Sequence, residues 1–170
     1  SRGRVIDRRG HDLAVDIAAT SFFAYPNQVV EPSRVAARFA VLGPGRDSQV
    51  ERQLRGGKPF VYLARQVDDA DLARIGELDF TGVFKHAETR RQYPLGPLAG
   101  QFIGHTDIDN RGSEGVEGAF DEMLRERDGL LLGYVDALGN RVPGQQQREE
   151  PQHGRSLVLT IDALYQGIME

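Results

Sequence analysis

The sequence predicts an α+β fold, with antiparallel strands supplied by both chain ends and a small α+β lobe inserted between them at about 30–87. Three observations lead there. Short extended patterns stand near each end of the chain, helical periodicity dominates the middle, and glycine or proline marks most changes of pattern. The 170 residues, 39% hydrophobic and 27% charged, are enough for one ordinary folded domain or two small lobes with a real core.

The elements follow in order. Residues 4–6 and 13–17 read as extended segments around the turn Asp7-Arg8-Arg9-Gly10, where Gly10 supplies the permissive backbone. Leu13, Val15 and Ile17 alternate with Ala14 and Asp16, a half-buried strand. Pro32-Ser33 opens a helix with Val35, Phe39 and Leu42 on one face, stopped by Gly43-Pro44-Gly45. A second helix over 47–55 has Asp47 as its candidate cap and Val50 four residues before Leu54. Phe60–Val67 reads as a strand, and a third helix starts at Asp68 or Asp69 with Leu72, Ile75 and Leu78 inward. Residues 82–93 return to an extended form.

Towards the C-terminus, Val116, Phe120, Met123 and Leu124 give a helix from Glu114 to Arg127 its apolar stripe. Leu130–Val135 suits a strand, a turn near Leu138-Gly139-Asn140 leads to a second strand at Arg141-Val142, and the Gln-rich, proline-broken 143–154 reads as a loop. SLVLTID at 156–162 is a strand, and ALYQGIME at 163–170 the start of a helix.

Three blocks exceed what such elements require: RGRVIDRRGHDLA at 2–14, RQYPLG at 91–96 and DNRGSEGVEGAFDEML at 109–124. In the first, Arg2 and Arg8 can fork hydrogen bonds to carboxylates or carbonyls as lysine cannot, with Asp7, Gly3 and Gly10 around them. In the second, Pro94 fixes its own φ and extends Tyr93, between Arg91 and Gly96; an apolar run from Leu98 to Ile103 then ends at Gly104. In the third, Gly112 and Gly115 precede Glu117, whose charge in the first turn of a helix suits the macrodipole. The expectation is that Glu117 pairs with Arg2 or Arg91 and that the blocks meet at one junction between lobes.

Together these blocks resemble the boxes of the non-catalytic N-terminal module of class B penicillin-binding proteins, the wall-crosslinking D,D-transpeptidases of bacteria. The module's first box, Arg-Gly-x-x-x-Asp-Arg-x-Gly-x-x-Leu-Ala, is matched at every defining position from Arg2 to Ala14. The family's catalytic signatures Ser-x-x-Lys, Ser-x-Asn and Lys-Thr/Ser-Gly are not in this sequence; the residues three before Lys58 and Lys85 are Arg55 and Gly82. The resemblance implies an elongated pedestal with 1–29 and 88–162 as its main lobe, an inserted head at 30–87, and the first residues of a transpeptidase domain at 163–170. It implies a structural role for Arg2, Gly3, Asp7, Arg8, Gly10, Arg91, Tyr93, Pro94, Gly96, Gly104, Gly112, Gly115 and Glu117. It further implies a membrane anchor upstream of residue 1, a periplasmic site, the module's own transpeptidase domain as partner, and docking to a SEDS-class glycan polymerase and other divisome or elongasome proteins. Self-association is a further implied option. Gly104-His105-Thr106-Asp107-Ile108-Asp109 looks more like the division branch than the elongation branch. Arg125-Glu126-Arg127-Asp128 departs from the glycine turn more usual in the family. The rival reading is a free-standing extracytoplasmic interaction domain with no enzyme attached.

Other chemistries fit poorly. A net charge of −4, from 21 basic and 25 acidic residues, argues against nucleic acid. The absence of cysteine excludes disulfides, thiol catalysis and cysteine zinc sites. No stretch approaches the roughly 20 apolar residues that span a bilayer. A calcium loop at Asp107-x-Asp109 would carry Arg111 and Gly118 at ligand positions, with Glu117 one place early. Ser113, His105 and Asp107 lack a nucleophile-elbow context, and His11, His86, His105 and His153 lack metal-ligand spacing. Gly57-Lys58 runs into proline, and Gly43-Pro44-Gly45 lacks the last glycine of a dinucleotide fingerprint. No cofactor or metal is expected.

Overall fold

In the computed structural model, residues 1–96, 100–127, 129, 131–135, 141–148, 150 and 152–162 are described. The chain divides into two compact units, one joining Ser1–Asp16 to Arg91–Glu170, the other formed by Ile17–Arg90. The elements include both strands and helices, so the architecture is α+β.

In the first unit, β1 (Val5–Ile6) turns back antiparallel onto the start of β2 (Asp12–Ala24), placing Val5 opposite Ala14. The strand from the other end, β7 (Leu157–Val158), joins β1 in parallel, with Val5 opposite Leu157. The sequence predicts antiparallel strands from the two chain ends, whereas this pair is parallel. No hairpin links these distant segments, so no turn dictates their direction. Their core is Val5, Leu13, Ala14, Ile103, Val116 and Leu124, with Tyr93, Leu157, Leu159 and Ile161 packed against it.

Short helices α4 (Gly100–Ile103), α5 (Gly115–Ala119) and α6 (Asp121–Leu124) complete the described core of this unit. The single helix expected over 114–127 is therefore broken at Phe120, whose φ of −113° and ψ of 20° are not helical. Phe120 is consequently 42% exposed, while Val116 and Leu124 stay buried. A hairpin pairs β5 (Leu131–Val135) with β6 (Arg141–Arg148). Residues 143–148 are thus strand rather than loop, because a ladder is made by backbone groups that glutamine possesses like any residue. The turn expected at 138–140 and the helix start at 163–170 lie outside the described residues, as do 97–99.

The second unit begins at Ile17 rather than at 30, because β2 continues past Asp16 and its second half pairs antiparallel with β3 (Val61–Val67), Phe23 lying opposite Tyr62. Strand β4 (Val83–Gln92) also pairs with β2. Helix α1 (Pro32–Phe39) has proline in its first turn, where no amide donor is lost. Helix α2 (Arg46–Arg55) starts from Gly45 in a left-handed conformation, φ 73°, so Asp47 lies in the first turn instead of capping it. Helix α3 (Asp69–Ile75) is capped by Asp68, whose carboxylate accepts from the Asp71 amide at 2.9 Å. One core gathers Phe22, Val35, Phe39, Val50, Leu54, Leu63 and Ile75 with their buried neighbours, and Phe22 meets Phe39 edge to face at 5.6 Å.

Candidate functional site: a buried arginine–carboxylate lock

Arg2, Arg91 and Glu117 come together inside the first unit, each under 9% exposed. The two oxygens of Glu117 serve different arginines. Oε2 accepts from Arg2 Nε at 2.7 Å and Oε1 from Arg91 Nε at 2.7 Å. Arg2 spends its remaining donors on the Glu117 carbonyl at 2.9 Å, the Asn110 carbonyl at 3.2 Å and Asp121 Oδ1 at 2.5 Å. Arg91 reaches Asp16 at 3.0 Å, and Asp16 also accepts from the Arg2 amide at 2.7 Å and from Asn110 Nδ2 at 3.1 Å.

Local structure explains how these groups are delivered. Arg2 leads into β1, Asp16 lies within β2 and Arg91 within β4, while Glu117 stands on α5 and Asp121 opens α6. Asp107 Oδ1 accepts from the Asp109 and Arg111 amides at 2.9 Å, which turns the loop so that Asn110, at φ 60°, offers both its carbonyl and its amide to the lock. Glycine makes the approach possible: a Cβ on Gly112 would stand 1.9 Å from the Glu117 carbonyl, and one on Gly3 2.0 Å from the Arg155 carbonyl. The Gly112 amide donates to Asp121 at 2.7 Å, and the Gly3 amide to the Leu124 carbonyl at 2.7 Å.

Formal charge in the lock is nearly balanced, two guanidiniums against the carboxylates of Asp16, Glu117 and Asp121, with Arg125 at 3.8 Å from Asp121. Burial pushes the Asp121 carboxyl up, but the Gly112 amide and the Arg2 charge outweigh it and hold the group below the ordinary carboxylate value. Burial and then the Glu117 charge push the Tyr93 phenol above its usual value, and its hydroxyl accepts from the Thr106 amide at 3.1 Å.

The remaining expected residues do different things. Asp7, fully buried, accepts from the Arg9 and His11 amides at 2.8 and 2.9 Å and so builds its own turn, with Gly10 at φ 89°. Arg8 and Arg9 both reach Asp162, at 3.0 and 2.8 Å, a second junction between the first box and the segment after β7. Pro94 and Gly96 lie exposed in a turn closed by the Gly96 amide on the Tyr93 carbonyl at 3.0 Å, and take no part in the lock. Gly104 and Gly115, at φ 74° and 58°, sit back to back. All members of the lock belong to the first unit. Sequence reasoning missed Asp16, Asn110 and Asp121. Their one signal was arithmetic: two buried guanidiniums call for more than one carboxylate.

The arrangement is tied together almost throughout by internal bonds, only Arg91 Nη2 and Asn110 Oδ1 being buried without a hydrogen-bond partner among the described residues, and it presents no nucleophile. No group of three or more His, Asp or Glu able to hold a metal occurs among the described residues. Nor is any helix among them long and apolar enough to cross a membrane.

Residues 1–159 match the family model described as penicillin-binding protein dimerisation domain. The chain belongs to that family. Its relatives include the probable peptidoglycan D,D-transpeptidase PenA of Neisseria gonorrhoeae, 32% identical over 95% of this chain and 29% of that protein. The peptidoglycan D,D-transpeptidase FtsI of Escherichia coli K12 is 31% identical over 99% of this chain and 30% of its own length. Stage V sporulation protein D of Bacillus subtilis is 28% identical over 99% and 27%. The chain thus spans less than a third of these relatives. Among solved structures, penicillin-binding protein PBP2 in complex with MreC from Helicobacter pylori shares the fold with a TM-score of 0.65 at 17% identity, over 98% of this chain and 36% of that one. A peptidoglycan synthetase from Bifidobacterium adolescentis does so at 0.56 and 22%, over 98% and 36%. These neighbours share the α+β fold of this chain.

Proposed function

We propose that this dimerisation-family domain is the non-catalytic pedestal of a bacterial peptidoglycan D,D-transpeptidase, holding the catalytic domain in position and docking other wall-synthesis proteins outside the cytoplasm. The observation that carries the reading is the lock itself: five charged side chains from segments up to 119 residues apart are paired with one another inside the unit rather than presented to a substrate. The Arg8–Asp162 and Arg9–Asp162 pairs support it by tying the first box to the segment that leads towards 163–170, which we assign to the start of the transpeptidase domain. We further assign the module to a cell-division enzyme on the strength of the Gly104–Asp109 wording, with a SEDS-class glycan polymerase as partner and the periplasm as its place of work. A labelled penicillin tests the central claim: the full-length protein should be acylated and this chain should not. Covalent labelling of this chain would overturn the reading.

A further inference from the structure

In the second unit Phe22 and Ala24 of β2, Val61 and Leu63 of β3 and Val83 of β4 turn into the core shared with the helices. The residues of the other face, Phe23, Tyr25, Phe60, Tyr62, Phe84 and His86, form one continuous aromatic mosaic. Phe23 lies at its centre, 5.5 Å from Phe84, 5.4 Å from Phe60, 5.6 Å from His86 and 6.0 Å from Tyr25. Around it Tyr25, Phe60, Tyr62 and Phe84 remain 37–44% exposed. An apolar patch of that extent is costly to leave in water, and aromatic side chains with arginine are what interface centres are made of.

Beside the mosaic, Phe60 and Tyr62 continue into a groove of about 480 Å³ lined also by Gln49, Arg52, Gln53 and Lys58. That lining contains cations and amides but no carboxylate. Neither Arg52 nor Lys58 has an ion-pair partner among the described residues, whereas neighbouring Arg55 is paired with Glu51 and Arg65, stacked over Tyr62, is paired with Glu88. Gln53 Oε1 is buried without a hydrogen-bond partner among the described residues, an acceptor awaiting a donor.

We infer that this face docks a polypeptide segment of another protein, one whose apolar side chains cover the mosaic and whose carboxylates meet Arg52 and Lys58. The inference rests on the docking half of the proposed function and names its surface and the partner's chemistry. The unpaired cations of the groove favour an acidic polypeptide over an uncharged glycan. The rings supply relief for its apolar side chains: Tyr25 and Tyr62 stand at 89° and 90° to Phe23 and Phe60, while Phe60 and Phe84 lie at 31° and 23° to Phe23. A second copy of this chain is the competing occupant, and a self-crosslink is its signature in the test.

The test is photocrosslinking in the native cells with the full-length protein, carrying benzoylphenylalanine at Tyr62 or Phe84, or at exposed Ile108 and Phe102 of the first unit for comparison. The expected product from the first two positions is a crosslinked peptide of a different protein in which acidic residues flank an apolar stretch. Its yield should fall about tenfold in Arg52→Glu/Lys58→Glu and stay unchanged in Arg74→Glu, whose charge is already satisfied by Asp71. A muropeptide, a self-crosslink, or a yield indifferent to the Arg52/Lys58 reversal overturns the inference. Crosslinks to partners from Ile108 or Phe102 alone would overturn it while leaving the docking reading intact; crosslinks from none of the four would sink both. Thermal unfolding of each variant, matched to the parent, ensures that a lost product reports the surface and not the fold.

Discussion

Replacing Glu117 with glutamine removes one charge and nothing else in volume, and the lock shows what that should cost. The glutamine carbonyl can accept from one guanidinium only; its amide must then face the Nε–H of the other, donor against donor, in a site with no solvent exposure. Removing one partner of a buried ion pair costs about 3–5 kcal/mol. Here Arg91 keeps Asp16 and Arg2 keeps Asp121, so the lower end, about 3 kcal/mol, applies. For a chain of this size that lowers Tm by roughly 6–12 °C. Urea unfolding followed by circular dichroism reads it directly. Combining Glu117→Gln with Arg91→Met should recover part of the loss, a coupling of about 0.5–3 kcal/mol, since the stranded donor is then gone. A Glu117→Gln variant within about 1 kcal/mol of the parent, with no coupling to Arg91, would refute the claim that these groups share one desiccated network.

The other expectations concern the same unit. Asp121 has a folded pKa below its unfolded one, so its contribution is complete above the unfolded carboxylate value of about 4 and is lost as pH falls through the folded value. The stability gap between the parent and Asp121→Asn should therefore be constant near neutrality and shrink in acid; a gap independent of pH would contradict it. Gly112→Ala should cost at least about 3 kcal/mol, because its new methyl group meets the Glu117 carbonyl and only backbone movement relieves it. Gly100→Ala, with nothing within 4 Å of the added carbon, is the matched control and should change stability by no more than about 1 kcal/mol. Asp162→Asn should cost only about 1 kcal/mol, because its arginines are half-exposed and screened, yet it should speed hydrogen exchange at the Arg8 amide, which donates to the Ile161 carbonyl.

What the sequence made legible, and what it hid, follows from where the information resides. Arg2, Arg91 and Glu117 were visible because charged residues among glycines fit no amphipathic element. Asp16 was hidden by its own strand: alternation assigns it to a face opposite Leu13 and Val15 but does not say what covers that face. Asp121 lay one helical turn beyond Glu117, yet the stripe of Val116, Phe120 and Leu124 suggested a continuous helix. The break at Phe120 depends on tertiary packing that no local pattern encodes. The Gln-rich 143–148 misled for a related reason, since composition reports on side chains and a hairpin is held by peptide groups. In the second unit the helices were legible from Val35, Phe39, Val50 and Leu54, whereas β2 between Ala18 and Ala24 carries too little polar alternation to announce a strand.

The Asp16–Arg91 pair has a consequence for how the architecture can vary. These residues are the last before, and the first after, the segment Ile17–Arg90, and their contact at 3.0 Å clasps its two roots together under cover from solvent. Whatever length of chain leaves at one root must come back at the other, and the entropic toll of a longer excursion grows only as the logarithm of its length. The excursion can therefore be enlarged, trimmed or exchanged from one bacterium to another while the clasp, and all that leans on it, keeps its geometry.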